Sequence, residues 1–206
     1  MAEKEIPDIV VGRLPLYLRS LQRMAQTGRQ VTSSQELGEN LGISAAQIRK
    51  DLSQFGEFGK QGTGYQIDFL IDKLRQILHV DRTWDMAVVG AGDIGSAVAR
   101  YQGFANRGFC VAMIFDNDSA RIGSRIGDFV VMDAAEMQTA IVSAGIRIAM
   151  ITVPAAQAQV VADQLVEAGV KAILNYAPLS LNVPPDVHVQ YIDPAIHLQR
   201  MTYYLE

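Results

Sequence analysis

The residues best placed to do chemistry form a glycine-rich turn, VVGAGDIGSA, at positions 88–97. Gly90, Gly92 and Gly95 follow an apolar run and precede a helix-like run, with the spacing GxGxxG. In such a strand–turn–helix unit the first glycine allows a tight turn, the second lets the backbone approach a pyrophosphate, and the third lets helix and strand pack closely. The helix N-terminus offers N–H groups to the phosphates. The spacing predicts a dinucleotide-binding turn, and a turn that only packs a helix is the less favoured interpretation.

An acidic residue further along the chain strengthens this prediction. Asp116 ends the next apolar run, 21 residues after Gly95. A carboxylate there can hydrogen-bond both ribose hydroxyls of NAD(H), and it would repel the 2′-phosphate of NADP(H). The next basic residue is Arg121, so no cation follows the acid closely. The pattern favours NAD(H) as the cofactor.

Two later loops also follow predicted strands, at the edge of the sheet where ligands bind in α/β folds. They are TVP, from Thr152 to Pro154, and NYAP, from Asn175 to Pro178. Both are candidates to line a nicotinamide pocket, and ordinary loop chemistry explains them equally well.

Hydride transfer would need a proton donor or acceptor near the nicotinamide. The three histidines, His79, His188 and His197, lie outside the candidate loops, and Tyr101 has no orienting partner at a recognisable spacing. Little chain follows the last predicted strand, so we expect no separate substrate domain. A small NAD-dependent oxidoreductase is therefore the alternative hypothesis, and a protein that only senses the cofactor is the leading one.

A second candidate site lies upstream, where residues 13–62 carry seven Lys and Arg against four Asp and Glu, although the whole chain has a net charge of -4. A basic window on an acidic chain indicates an anionic partner for that part of the molecule. The capping-box patterns that begin at Ser33 and Ser44 predict short helices at about 34–41 and 45–55. This pair has the size of a helix-turn-helix.

The second of these helices presents side chains suited to the DNA major groove. Arg49 and Gln47 can hydrogen-bond base edges, while Lys50 can reach phosphates. The glycine-rich segment 56–64 predicts a small hairpin, and Lys60 would place it as a wing along the DNA backbone. A solvated helix pair used for protein contacts is the alternative interpretation.

The rest of the chain predicts the scaffold that holds these sites. After Trp84, short apolar runs alternate with helix-like segments, which is typical of a doubly wound α/β domain with a mostly parallel sheet. The domain boundary falls near 80–84, and an amphipathic helix ends the sequence. No apolar run is long enough to span a bilayer and no secretory signal is recognisable, so we expect a cytoplasmic protein. The single cysteine, Cys110, lies in an apolar run and is predicted to be buried and inert.

These segments resemble the bacterial redox-sensing transcriptional repressors of the Rex family. The most specific likeness is SAAQIRKDLSQFGEFGKQGTGY at residues 44–65, and VVGAGDIGSA, FDND, ITVPAAQAQ and ILNYAP are similar to successive cofactor-domain motifs of the family. The resemblance implies a winged-helix DNA-binding domain at 1–80, a Rossmann-type NAD(H)-binding domain at 81–193, and a C-terminal helix at 194–206 that swaps onto the partner in a homodimer.

The resemblance also implies a mechanism, in which NADH lowers affinity for a palindromic operator and NAD+ competes with NADH without releasing the repressor. A DNA-binding regulator that senses another nucleotide is the second alternative to this hypothesis. Two positions depart from the family pattern. Gln61 stands where a basic residue is common, which weakens the expected phosphate contact. Pro194 stands where a larger apolar residue is common, which puts the discrimination between NADH and NAD+ in doubt.

Individual residues receive roles from the same resemblance. Cofactor contacts would be made by Gly90, Ala91, Gly92, Asp93, Ile94, Gly95, Asp116, Thr152, Val153, Pro154 and Asn175. DNA contacts would be made by Ser44, Gln47, Arg49, Lys50 and Lys60. A polar switch would use Arg19, Tyr101 and Asp193.

Overall fold

The computed structural model describes residues 6–59 and 64–205, which form two compact units divided between Arg82 and Thr83. The first unit is mainly helical, and its two short strands pair with each other. Its elements are α1 (Asp8–Val11), α2 (Leu14–Gln26), β1 (Val31–Thr32), α3 (Ser34–Leu41), α4 (Ala45–Leu52), β2 (Tyr65–Gln66) and α5 (Ile67–Ile77).

Helices α3 and α4 form a helix-turn-helix whose ends are set by local chemistry. The Ser33 hydroxyl accepts the Glu36 N–H at 3.1 Å, and the Ser44 hydroxyl accepts the Gln47 N–H at 3.2 Å. Each cap satisfies a backbone donor that the first turn leaves unpaired. Gly42 follows α3 in the left-handed conformation (φ 68°), which costs glycine nothing because it has no Cβ. The predicted helix-turn-helix is therefore present, with α4 ending at Leu52 rather than at residue 55.

An apolar core holds α2 and α5 against this helix pair. The buried positions recur at helical spacing, so each helix turns one stripe inward and leaves its polar face to solvent. The core side chains of this cluster with an exposed fraction of 2% or less are Leu14, Tyr17, Leu21, Leu37, Ile48, Leu52, Ile67, Leu70 and Leu74.

Of the segment after α4, which is predicted as a hairpin at 56–64, the structure describes residues 56–59 and 64, so the hairpin stays a prediction. A Cβ added to Gly59 would lie 2.8 Å from the Gly64 carbonyl oxygen, so these two residues lie side by side. Strand β2, directly after the segment, pairs antiparallel with β1. Residues 60–63 include the predicted wing residue Lys60 and the departure at Gln61, and both lie outside the described residues.

The second unit is a seven-stranded sheet with the strand order β5-β6-β4-β3-β7-β8-β9. All neighbours are parallel except β5 and β6. From β6 to β9 this is the 3-2-1-4-5-6 order of a doubly wound dinucleotide-binding fold, and the predicted fold class is confirmed. The strands are β3 (Trp84–Val89), β4 (Phe109–Asp116), β5 (Arg125–Ile126), β6 (Phe129–Asp133), β7 (Ile148–Ile151), β8 (Ala172–Asn175) and β9 (His188–Tyr191). The helices are α6 (Asp93–Arg100), α7 (Met137–Ala144), α8 (Ala155–Glu167) and α9 (Pro194–Thr202), with 3-10 turns at Gln102–Arg107 and Ala134–Glu136.

Helices cover both faces of this sheet. In β3, Ala87 and Val89 pack with the core under α7 and α8, whereas Met86 and Val88 pack with the core under α6. The strand order reverses at β3, between β4 and β7, and in such sheets the ligand crevice lies outside the carboxyl ends of the strands at this point. The loops after β3, β4, β7 and β8 therefore converge on one edge.

Three local features of the second unit differ from the predictions or were missing from them. Helix α6 ends at Arg100, because Tyr101 is extended (ψ 105°), and the chain continues as a 3-10 turn. The short antiparallel strand β5 was not predicted, because two residues show no periodicity. Cys110 is exposed rather than buried, since it lies near the start of β4 while the covered positions of that strand begin at Val111.

The last helix, α9, has no buried residue, although several of its side chains are large and apolar. That α9 packs onto the partner subunit of a homodimer stays a prediction. Across the described part of the chain, no helix is long and apolar enough to cross a membrane.

Candidate dinucleotide and nucleic-acid sites

The glycine-rich turn connects β3 to α6 by a close approach of three backbone segments. Gly90 has φ 104°, a conformation that L side chains rarely adopt, and its N–H donates to the Phe115 carbonyl at 2.8 Å. A Cβ on Gly95 would overlap the Gly90 carbonyl oxygen, so helix and turn touch only because this residue is glycine. The Thr152 hydroxyl lies within hydrogen-bonding distance of the carbonyl oxygens of Val89 (2.9 Å) and Gly90 (2.8 Å). The loop after β7 thereby holds the turn in shape.

Asp116 is bound to the same turn. Its Oδ2 accepts the Ala91 N–H at 2.6 Å and its Oδ1 accepts the Asp118 N–H at 2.8 Å. Burial alone would raise the pKa of this carboxyl, but the N–H groups of Asp118 and Ala91, followed by the Arg121 guanidinium, hold the pKa below its ordinary value. Asp116 is therefore ionised at neutral pH, and part of its role is to fix the turn.

Arg121 is the residue at this site whose role the sequence interpretation missed. Its Nη1 lies 3.3 Å from the Oδ2 of Asp116, and its Nε lies 3.8 Å from the Oδ2 of Asp118. The five-residue separation from Asp116 suggested that no cation was near, but a turn brings Arg121 back, with its N–H donating to the Asp118 carbonyl at 2.8 Å. The Asp118 side chain at the start of that turn accepts the Ala120 N–H, which is an Asx-turn signal that the sequence did contain.

A cavity of about 880 Å³ opens beside the turn, Asp116 and the loops after β7 and β8. Eight of the predicted cofactor residues line it, which are Gly90, Gly92, Asp93, Ile94, Asp116, Thr152, Val153 and Pro154. Apolar groups from α8 and the loops, including Val160 and Tyr176, also line it. Burial raises the pKa of the Tyr176 phenol, which therefore stays protonated at neutral pH. This volume is in the range of ligand pockets.

Three predicted cofactor residues do not line the cavity. Ala91 in the turn and Gly95 in the first turn of α6 are buried, and Asn175 is fully buried. The Asn175 amide donates to the carbonyls of Ala177 (3.1 Å) and Leu179 (3.0 Å), and its oxygen accepts the Ala177 N–H at 2.9 Å. Asn175 thus shapes the NYAP loop, whose Tyr176, Ala177 and Pro178 reach the cavity in its place. Within the part of the chain that the structure describes, no histidine lines this cavity.

Three of the predicted DNA-reading residues, Gln47, Arg49 and Lys50, lie on α4, and two of these have partners within the unit. The Gln47 amide donates to the Asp51 carboxylate at 2.7 Å, and Arg49 donates to the Ser34 hydroxyl at 2.9 Å. Lys50 is exposed, and Ser44 caps the helix. Gln47 is therefore a half-buried residue that supports its own helix, whereas Arg49 and Lys50 project to the surface.

Asp51 is the second residue that the sequence interpretation missed. It is fully buried, and it accepts hydrogen bonds from Arg13 (2.6 and 2.8 Å), Tyr17 (2.7 Å) and Gln47. Burial alone would raise the pKa of Asp51, but these bonds outweigh burial and the pKa lies below its ordinary value. The spacing of four residues between Arg13 and Tyr17, and between Gln47 and Asp51, was the available signal, because it places each pair on one helix face.

The three predicted switch residues lie on different elements. Arg19 is exposed on α2 of the first unit. In the second unit, Tyr101 is half exposed with its ring edge-on to Phe104 at 4.9 Å, and Asp193 caps α9 by accepting the Ala195 N–H at 2.9 Å. That these three residues act together as a polar switch stays a prediction.

A helix-turn-helix unit on the same chain as a doubly wound sheet with a dinucleotide turn defines a class, the DNA-binding regulators that carry a nucleotide site. Comparison with known proteins narrows this class. Residues 5–53 match the family described as "Putative DNA-binding protein N-terminus", and residues 81–179 match the "CoA binding domain" family.

Relatives named "Redox-sensing transcriptional repressor Rex" match nearly the whole chain. The protein from Chloroflexus aggregans is 52% identical over 97% of this chain and 94% of its own, and that from Brevibacillus brevis is 43% identical over both full lengths. The crystal structure of RSP in complex with beta-NAD+ and operator DNA is 38% identical, with a TM-score of 0.93 over 98% of this chain and 93% of that one. The crystal structure of RSP in complex with beta-NADH is 36% identical, with a TM-score of 0.89 over 97% and 94%.

The chain therefore belongs to the Rex family of redox-sensing transcriptional repressors. Its relatives are named as repressors and not as enzymes, which confirms the preference for a regulator over an oxidoreductase.

Proposed function

We propose that this chain represses transcription by binding palindromic operator DNA through α4, and that NADH bound at the glycine-rich turn lowers its operator affinity. The observation that carries the proposal is the ionised Asp116 fixed to the Ala91 N–H beside the cavity, on the same chain as a capped helix-turn-helix. An acid in that position favours the ribose diol of NAD(H) over the 2′-phosphate of NADP(H). RSP, a relative of known structure, has been crystallised with beta-NAD+ and operator DNA and with beta-NADH.

Each segment of the chain has its own function in this proposal. Residues 1–80 read the operator, residues 81–193 bind the nicotinamide cofactor, and residues 194–206 join two subunits into a homodimer. The exposed apolar side chains of α9 support the last assignment, because Ile196, Leu198 and Met201 are each more than 60% exposed and need cover. A protein that binds operator DNA is expected to act in the cytoplasm.

Repression and release require two states that differ in operator affinity. One state sets the two α4 helices of the dimer about one DNA turn apart, roughly 34–36 Å, and the other does not. NADH must bind the second state more tightly, since a ligand with equal affinity for both shifts nothing. A response of about 5- to 150-fold corresponds to a coupling free energy of about 1–3 kcal/mol. The reduced nicotinamide ring is uncharged, so the apolar lining of the cavity favours NADH over NAD+ on desolvation grounds.

The test is operator binding measured with and without cofactor. A palindromic duplex is selected by this protein from a random library, labelled, and titrated in fluorescence anisotropy alone and with NADH, NAD+ or NADPH. We expect NADH to weaken binding by at least about fivefold, and NAD+ to restore it by competition. Failure to select any DNA, or an equal response to NADPH, would overturn the proposal.

A further inference from the structure

Arg121 lies between the glycine-rich turn, which would hold the pyrophosphate of a dinucleotide, and Asp116, which would hold its adenosine ribose. It lines the cavity, and its Nη1 is 4.0 Å from the place where a Cβ on Gly92 would stand, beside the glycine that lets a pyrophosphate approach. The side chain is 48% exposed, so it can move without disturbing the core.

The chemistry of a guanidinium at this point suits a phosphate. Arginine presents several N–H donors in a planar fork that matches phosphate oxygens, and it stays charged at every physiological pH. Here the fork instead faces two carboxylates, Asp116 at 3.3 Å and Asp118 at 3.8 Å. The three side chains together carry a net charge of -1, which repels an incoming phosphate dianion.

The hydrogen bonds of Asp116 show that binding of a ribose diol and binding of a 2′-phosphate exclude each other at this site. An ionised carboxylate has about four acceptor positions, and Asp116 uses three of them for the N–H groups of Ala91 and Asp118 and for Arg121. A ribose diol would take the remaining acceptor position of Asp116. Its second hydroxyl would compete with Arg121 for the position that Arg121 now uses. A 2′-phosphate would need the opposite arrangement, with Arg121 released from Asp116 and the carboxylate gone.

We propose that Arg121 is a dormant binding group for the 2′-phosphate of NADP(H), which its ion pair with Asp116 keeps out of use. Asp116 then excludes NADP(H) in two ways: it repels the phosphate, and it occupies Arg121, which is the only cation among the described residues that line the cavity. This inference rests on the proposed function, because it concerns the cofactor choice of the same cavity.

Removal of the charge at Asp116 tests this inference, because it should increase the affinity for NADPH. In Asp116→Asn the amide oxygen can still accept the Ala91 N–H that fixes the turn, while the negative charge and the acceptor for the Asp118 N–H are lost. We expect the affinity for NADPH to rise at least tenfold over the unaltered protein and the affinity for NADH to fall. The double variant Asp116→Asn/Arg121→Gln should lose the gain. Arg125→Gln in place of Arg121→Gln is the matched control, because Arg125 is exposed on β5 and does not line the cavity.

Dissociation constants for NADPH and NADH are measured by fluorescence titration of the full chain at two salt concentrations. The gain should shrink at high salt, as expected for an exposed charge pair. Asp116→Ser, whose hydroxyl also accepts an N–H, repeats the test if Asp116→Asn does not fold. Equal NADPH affinity with and without Arg121 in the Asp116→Asn background would overturn this inference alone, provided that the unaltered protein binds NADH. If the unaltered protein binds no NADH, the proposed function itself is overturned.

Discussion

The Arg13 guanidinium donates two hydrogen bonds, at 2.6 and 2.8 Å, to the fully buried carboxylate of Asp51, which lies 38 residues further along the chain. This pair joins the start of α2 to α4, the helix proposed to read DNA. Tyr17 and Gln47 complete the set of donors, so the orientation of α4 about its own axis is fixed by a polar cluster inside an apolar core. Such a cluster is costly to break, because each remaining member is left with an unpaired polar group.

Asp51→Ala should therefore destabilise the first unit strongly. Removal of one partner from a buried ion pair typically costs about 3–5 kcal/mol, and we expect about 3 kcal/mol here because the Arg13 side chain is 20% exposed and can still reach water. Urea unfolding followed by circular dichroism measures the change in the free energy of unfolding. Operator binding should fall with it, while NADH binding, which uses residues of the other unit, should be kept.

Asp72→Ala is the matched control, since Asp72 is an exposed carboxylate on α5 of the same unit. Its effect should be within about 0.5 kcal/mol, as is usual for surface positions. A loss of stability at Asp51→Ala no greater than that of the control would show that the cluster does not hold the helices together.

Tyr17 gives the same cluster a pH dependence. Burial, and then the hydrogen bond to Asp51, raises the pKa of the Tyr17 phenol well above 10.0. The unfolded chain loses this proton near pH 10 and the folded chain does not, so the stabilising contribution is complete below pH 10 and is lost as the pH rises from there towards the folded pKa. One such group lowers the free energy of unfolding by up to about 1.4 kcal/mol per pH unit.

Unfolding of the unaltered protein and of Tyr17→Phe is compared from pH 8 to pH 11. The variant should lose about 1–2 kcal/mol at pH 8, because Asp51 loses one donor, and should then show a shallower decline. Tyr65 and Tyr176 also have raised pKa values, so only the difference between the two proteins is assigned to Tyr17. Parallel pH profiles would contradict the expectation.

Features set by residues close in sequence were predictable. The caps at Ser33 and Ser44 depend on a hydroxyl and an N–H three residues apart, and the glycines of the turn act within one strand–turn–helix unit. The alternation of apolar runs and helical segments was enough to predict the sheet, because alternating strands and helices have few other stable arrangements than a doubly wound fold.

Features that depend on the return of the chain from a distance were not predictable. Asp118 signals a turn but not that the turn brings Arg121 onto Asp116, and Asp51 meets Arg13 only after α2 and α4 have packed. Cys110 was misjudged since an apolar neighbourhood in sequence does not show which end of a strand a helix covers. In each case the missing information was a contact between elements, which spacing along one element does not contain.

Substitution of two glycines, Gly38 and Gly95, should separate operator binding from NADH binding. A methyl group on Gly38 would overlap the Ile43 carbonyl oxygen at the turn into α4, and one on Gly95 would overlap the Gly90 carbonyl oxygen. Since the obstacle in both cases is backbone, we expect each alanine variant to cost about 3 kcal/mol locally, at the upper end for overpacking. Gly38→Ala should lose operator binding and keep NADH binding, and Gly95→Ala should lose NADH binding and keep operator binding without cofactor.

Gly12→Ala provides the control, because Gly12 has helical backbone angles and the nearest atom to an added Cβ is 3.4 Å away, which is ordinary contact. Both affinities are measured for all three variants by anisotropy and by NADH fluorescence. Loss of both activities in either Gly38→Ala or Gly95→Ala would mean that the two units do not fold independently enough for the sites to be separated.

Arg49 and Lys50 are adjacent on α4 but should contribute differently to operator binding. If Arg49 contacts a base edge, Arg49→Ala costs about 1–3 kcal/mol on the selected palindrome and little on a scrambled duplex. If Lys50 contacts a phosphate, Lys50→Gln weakens binding to both duplexes and reduces the slope of log K against log salt by about 1. The control is Lys73→Gln on α5, whose ammonium bonds the Gln76 side chain and lies 5.7 Å from the centre of the Phe69 ring, and it should leave slope and specificity unchanged. An Arg49→Ala variant that weakens both duplexes equally would move Arg49 from base reading to backbone contact, because a loss shared by all sequences carries no information about sequence.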